Sequence, residues 1–207
     1  MTTPAAAWTL GLVLASGSAI AGEVIFGNFT ANGSFRTDVG YVVSGDAVPY
    51  APDEPHSHGM RFTATANGTL ERIDAALQLV SGTNAVAVEL WSATTTGTLG
   101  SMLGSWTTPD TMSDFGTQGE IVSFAMDGPM LHTGERYWVL ARATGDTDAS
   151  WMWASGASGP LVWVRPDGVP VYSNDHSPAM RVVITVPAPA GVPAVAGVLL
   201  LAAHRRR

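Results

Sequence analysis

Apolar and polar residues alternate with period two along most of the chain, the mark of strands with one buried face. In RIDAALQLV, Ile73, Ala75, Leu77 and Leu79 fall on one face. Val86, Val88 and Leu90 do the same in AVAVELW, and Val122, Phe124 and Met126 in EIVSFAM. In RYWVLARA, Trp138, Leu140 and the stem of Arg142 oppose Tyr137, Val139 and Ala141. SWMWAS, PLVWVRP, VPVYS and MRVVITV add later strands. Turn signals separate these segments: Asn67-Gly68, Ser81-Gly82, Asp127-Gly128-Pro129, Thr133-Gly134, Ser158-Gly159-Pro160 and Asp167-Gly168. Asp167-Gly168 reads as a hairpin turn, and Pro166 and Pro170 push its strands toward a sheet edge. The pattern predicts an all-β fold, a single β-sandwich or jelly roll of about eight to ten strands. No repeat of propeller or solenoid period is visible.

Composition agrees with that class. Gly (23) and Pro (13) are plentiful, and the 207 residues suit one domain of moderate size with appendages. There is no cysteine, which excludes a disulfide framework and thiolate metal sites. All seventeen acidic residues lie between Glu23 and Asp175, against seven arginines, so the body carries −10. There is no lysine. Nucleic acid is therefore not an expected partner, because phosphate binding rests on basic clusters.

Three constellations in the body bear on chemistry. In Asp53-Glu54-Pro55-His56-Ser57-His58, an extended backbone would point His56 and His58 the same way, as a metal-chelating pair would require. The competing reading is a proline-rich loop entering the strand GMRFTAT. Asp146-Thr147-Asp148 offers paired carboxylates to calcium, or simply solvates a turn. Trp151, Trp153 and Trp163 lie close together: exposed, they would stack on sugar rings; buried, they would carry core area. No nucleophile elbow, zinc-protease motif, P-loop or dinucleotide fingerprint is present. A hydrolase would have to draw on His56, His58 and His132. No metal, cofactor or catalytic residue is expected. Asn28, Asn32 and Asn67 match the glycosylation sequon, a pattern that arises by chance in a Thr-rich chain.

The two ends are distinct. Residues 1–21 read as a signal peptide, with an apolar run from Ala5 to Ala15 and the small-x-small site Ala19-Ile20-Ala21. Cleavage by signal peptidase is expected after Ala21, and with it export. No Lys or Arg precedes the run, so either the start lies upstream or the α-amino group serves alone. Residues 22–185 then form the β-domain. Residues 186–207, VPAPAGVPAVAGVLLLAAHRRR, join a proline-rich hinge to an apolar run and three arginines. The fourteen apolar positions from Ala190 to Ala203 make a helix of about 21 Å. That is short of the ~30 Å hydrocarbon core, so a transient hold on the inner membrane is expected rather than a permanent span. Arg205, Arg206 and Arg207 would stay on the cytoplasmic side.

The tail resembles the PEP-CTERM sorting signal of diderm bacteria, on Val186, Pro187, Ala188 and Pro189, the apolar run and the terminal arginines. Ala188 stands where that family usually has Glu, which makes this a Pro-Ala-Pro variant. The resemblance implies recognition and cleavage by an exosortase, a membrane transpeptidase. Delivery to the cell surface or extracellular matrix would follow. The body, from about Asn28 to Thr185, is similar to the choice-of-anchor R domains. The similarity lies in VELWSATTTGTLGSMLGSW, FAMDGPMLHTGERYWVLARA, SWMWAS and MRVVITV. It implies an extracellular β-domain with no catalytic residues. The expected role is structural or adhesive, with extracellular polysaccharide as a candidate partner. A secreted carbohydrate-binding module is the alternative.

Overall fold

The computed structural model describes residues 22–48, 55–117 and 119–186. Ala19, Ala21, Asp53, Glu54, Pro187, Ala188, Pro189 and Arg205 to Arg207 lie outside the described residues, as do the apolar runs of both ends.

Among the described residues all regular structure is β. In chain order the strands are β1 (Gly22–Gly27), β2 (Gly40–Ser44), β3 (Ser57–Thr63), β4 (Gly68–Ala75), β5 (Leu77–Ser81), β6 (Ala85–Ala93) and β7 (Leu99–Pro109). There follow β8 (Ser113–Asp114), β9 (Val122–Ala125), β10 (Met130–Leu131), β11 (Arg136–Ala143), β12 (Asp148–Val164), β13 (Pro170–Pro178) and β14 (Met180–Thr185). A smaller sheet runs β1-β14-β4-β10, with β9 also on β4. A larger sheet runs β7-β6-β11-β3-β12-β5-β8, with β2 and β13 also on β12.

The two sheets share one core, as a sandwich requires. The smaller sheet contributes Leu70, Ile73, Phe124, Val182 and Ile184. The larger contributes Phe62, Val88, Leu90, Val139 and Trp151. The expected faces hold: Val86, Val88 and Leu90 point into the core, as do Val122 and Phe124. Both faces of β11 are buried. Tyr137, Val139 and Ala141 enter the main core, while Trp138 and Leu140 join Val162 and Val164 in a second cluster on the outer face.

Two segments depart from the sequence pattern. RIDAALQLV is two strands, because the chain passes from the smaller sheet to the larger at Ala76. The alternation runs on unbroken, since both sheets bury their side chains in the same core. SWMWAS and PLVWVRP are one strand, β12, although Ser158-Gly159-Pro160 reads as a turn. The first half of β12 is laddered to β2 and β5, and the second half to β3 and β13. The change of partners falls between Trp153 and Ser158, where Gly156 has φ +76°. The ladder with β3 starts only at Leu161, so Pro160, which lacks an N–H, sits outside it. The Asp167-Gly168 hairpin forms as expected. Gly168 N–H donates to Arg165 O at 2.8 Å, and β13 is an edge strand that begins at Pro170.

The first strand pairs with the last. Gly22 lies opposite Thr185 at the start of an antiparallel ladder. Both ends of the sandwich therefore leave it from one side of one sheet.

Candidate functional site

His58 follows the alternation that places Met60 and Phe62 in the core, so it lies on the same inward face of the larger sheet. Trp163 continues the face of Leu161, and Tyr41 that of Val43. These side chains meet at the rim of the core rather than inside it. Tyr41 stacks on His58, with ring centroids 4.9 Å apart. Trp163 stacks on His56 at 5.8 Å and on His58 at 6.5 Å. Tyr41 also touches Trp153 at 5.5 Å, and Trp153 lies flat against His176 at 4.3 Å. The rings are brought in by four strands: Tyr41 by β2, His58 by β3 with His56 just before it, Trp153 and Trp163 by β12, and His176 by β13.

Hydrogen bonds fix the rings. His58 Nδ1 lies 2.8 Å from Val42 O, so that nitrogen carries the proton. His56 Nδ1 is 3.2 Å from the buried Ser44 hydroxyl. His176 Nδ1 is 2.9 Å from Asp175 Oδ1. The His176 backbone N–H, and then its ring, hold the Asp175 carboxyl below its ordinary range. Tyr41 donates its hydroxyl proton to His176 O at 2.8 Å. Burial, and then the Asp175 charge, push its pKa up. The indole N–H groups of Trp153 and Trp163 are buried with no acceptor.

Burial holds His58 at a pKa of about 4, and the neighbouring His56 pushes the same way against the opposing bond to Val42. In the unfolded chain the ring returns to about 6.5. Between these two values the unfolded chain binds the extra proton, so stability falls as pH drops from about 6.5 toward 4. The loss should total about 2 kcal/mol, allowing for the ring's partial exposure. His58→Phe should flatten the slope of unfolding free energy against pH in that window, as urea titrations at a series of pH values would show.

The rim gathers His56, His58, Trp153 and Trp163, and adds Tyr41, Asp175 and His176. It does not gather the rest of the sequence candidates. Trp151 is fully buried between the sheets and donates its indole proton to Ala179 O at 3.0 Å, which removes it from any ligand surface. His132 lies beyond the far end of β3, where its carbonyl accepts from Glu135 and Gly134 N–H reaches Ala64 O. His56 precedes β3, so the two histidines are about 25 Å apart along the strand. This separates the three histidines that a hydrolase would have needed together. Asp146 caps the Thr83 N–H at 3.3 Å, while Asp148 is buried in β12, so the two carboxylates do not converge. No cluster of three His, Cys, Asp or Glu side chains with metal-holding geometry occurs among the described residues.

His176 and Tyr41 carry no sequence signal that joins them, since 135 positions separate them. The adjacent Asp175-His176 pair was the one local cue. As chemistry, the rim is a set of mutually stacked rings. Ser44 is buried beneath His56, and among the described residues no carboxylate orients that histidine. Among the described residues a nucleophile–base–acid relay is not assembled. Comparisons with protein-family models, curated proteins and solved structures returned no match to this chain.

Proposed function

We propose that the chain is an exported, surface-sorted protein whose β-sandwich is a non-catalytic structural and adhesive module. The observation that carries this reading is the ladder between β1 and β14. The sandwich opens at Gly22, next to the expected signal-peptide site at Ala19 and Ala21, and its last strand ends at Thr185, next to Val186 of the sorting motif. Removal of either appendage would leave every described strand intact. Signal peptidase and an exosortase are the processing partners in this reading. Residence is the cell surface or matrix of a diderm bacterium, after a transient stay at the inner membrane.

The rim favours adhesion over hydrolysis, because its histidine rings are engaged in stacking and in bonds to Val42 O, the Ser44 hydroxyl and the Asp175 carboxylate. It favours a sugar platform less, since His176 already covers the face of Trp153.

The test is expression of the full chain in a diderm host with and without an exosortase, followed by mass spectrometry of both termini. The mature protein should begin at Gly22. With the enzyme present, it should lose the chain beyond Pro187-Ala188-Pro189 and reach the surface fraction. A full-length chain with an intact tail in the cytoplasm would overturn the reading.

A further inference from the structure

The outer face of the larger sheet holds the only two cations of the domain that lack a counter-ion among the described residues. Arg36, Arg72, Arg142, Arg165 and Arg181 each pair with a carboxylate. Arg61 and Arg136 pair with none, in a body with ten more acids than arginines. They lie on neighbouring strands, since Trp138 sits opposite Arg61 and Arg136 opposite Thr63. Both reach the same loop, which joins β6 to β7. Arg61 Nη1 donates to Gly97 O at 3.0 Å, and Arg136 Nη2 to Thr95 O at 2.7 Å. A Cβ on Gly97 would collide with Arg61 Nη1 and would lie 3.3 Å from Arg136 Nη1, so the two guanidiniums flank one glycine. Among the described residues neither meets a carboxylate, and together they form a local excess of positive charge on an acidic domain.

Beside Arg61 an open cleft of about 370 Å³ is walled by Thr96, Thr98, Tyr172, Ser173 and Asn174. Its floor is rigid. Trp138 is buried, donates to Gly97 O at 3.2 Å and lies 5.6 Å beneath the Arg61 guanidinium, a cation–π contact. Tyr172 rests against Trp138 at 5.6 Å, and its hydroxyl accepts the Leu99 N–H at 2.8 Å. The ring is thus pinned at its tip, while the residue remains 37% exposed.

We propose that this cleft binds an acidic glycan, with Arg61 taking the carboxylate of a uronic acid or an equivalent sulfate ester. Four features specify that ligand. A guanidinium with no carboxylate partner among the described residues, and with only Nη1 engaged by Gly97 O, offers its remaining donors to a planar anion. Hydroxyl and amide side chains match a ligand dense in hydroxyls. A pinned, partly exposed tyrosine ring gives the sugar an apolar face to lie on at little entropic cost. The surrounding acidic surface disfavours ligands that must neutralise many charges at once, such as nucleic acid, so recognition is of one acidic residue at a time, with Arg136 adding field from across the loop. The proposal extends the adhesive half of the function above and is independent of the sorting half.

The experiment is calorimetric titration of the purified full chain with oligogalacturonate, a sulfated oligosaccharide, the carboxyl-reduced neutral oligosaccharide and an acidic peptide. One or both acidic sugars should bind, and which one binds identifies the acid. Affinity should weaken as salt rises, and Arg61→Gln should lower it at least about tenfold. Because Arg61 also holds the Gly97 loop, a second variant is needed. Asn174→Glu, on the same strand face as Tyr172, places a negative charge on the exposed wall, leaves that loop untouched and should weaken binding by a similar factor. Equal binding of the neutral sugar, preference for the acidic peptide, no binding of either acidic sugar, or unchanged affinity in both variants would each overturn the proposal. Surface delivery in cells is read separately, so failure of sorting and failure of this site are distinguishable.

Discussion

Trp151→Ala should lower the unfolding free energy by about 3–5 kcal/mol, the range for removing a fully buried large aromatic side chain. For a domain of this size that corresponds to a fall in Tm of about 10–15 °C. The reason is position. Trp151 belongs to the main core, in the half of β12 laddered on both sides by β2 and β5, and none of its surface is exposed. A cavity there cannot be filled from the rim, because the side chains next along that face, Trp153 and Tyr41, are held in ring stacks. Trp151→Phe should cost much less, about 1–2 kcal/mol. Phenylalanine refills most of the volume, and Ala179 O keeps its second donor, the Ala76 N–H at 3.0 Å. Denaturant unfolding of the two variants measures the difference. If Trp151 were instead a ligand-stacking residue, alanine would leave stability nearly unchanged.

Asp74→Asn should cost about 3 kcal/mol, near the lower bound for breaking a buried ion pair. The Asp74 carboxylate is completely buried on β4. It accepts from Arg72 Nε at 2.9 Å, Arg181 Nε at 2.7 Å and the Ser123 hydroxyl at 2.7 Å. Three strands, β4, β9 and β14, are tied through this one group. Asparagine keeps the shape but offers one acceptor oxygen and turns a donor toward an arginine. The guanidiniums are 35% and 38% exposed, so water recovers part of the loss, and this sets the effect at the lower end. Arg72→Met should cost clearly less, because Arg181 and Ser123 still satisfy the carboxylate. Thermal melts of the two variants should separate them by several degrees.

The faces of the strands were legible because half-buried strands write their burial into alternate positions, as Val86, Val88 and Leu90 show. The crossing at Ala76 was not, since a strand that changes sheet keeps its inward face when both sheets share a core. The length of β12 was hidden by Ser158-Gly159-Pro160, where composition signals a turn but the geometry is an exchange of partners. The sequence placed His56 with His58 and grouped the tryptophans. It had no means to join Tyr41 to His176, or Arg61 to the Thr94–Thr98 loop, because strand pairing across long separations creates those contacts. The isolation of Arg61 and Arg136 was equally invisible. Charge counts show an excess of acids, but only geometry shows which arginines the acids leave unpaired.

The pairing of β1 with β14 has a mechanical consequence. A molecule held by its C-terminal end and pulled by something bound to its body takes the load at Thr185, on a strand laddered to β1 on one side and β4 on the other. Tension directed along that strand acts across the hydrogen bonds of two ladders at once, so they must shear together rather than open one by one. The same tension applied at Gly22 would meet a single ladder, because β1 is an edge strand. The fold therefore presents its stronger attachment point at the end that leads into the proposed sorting signal.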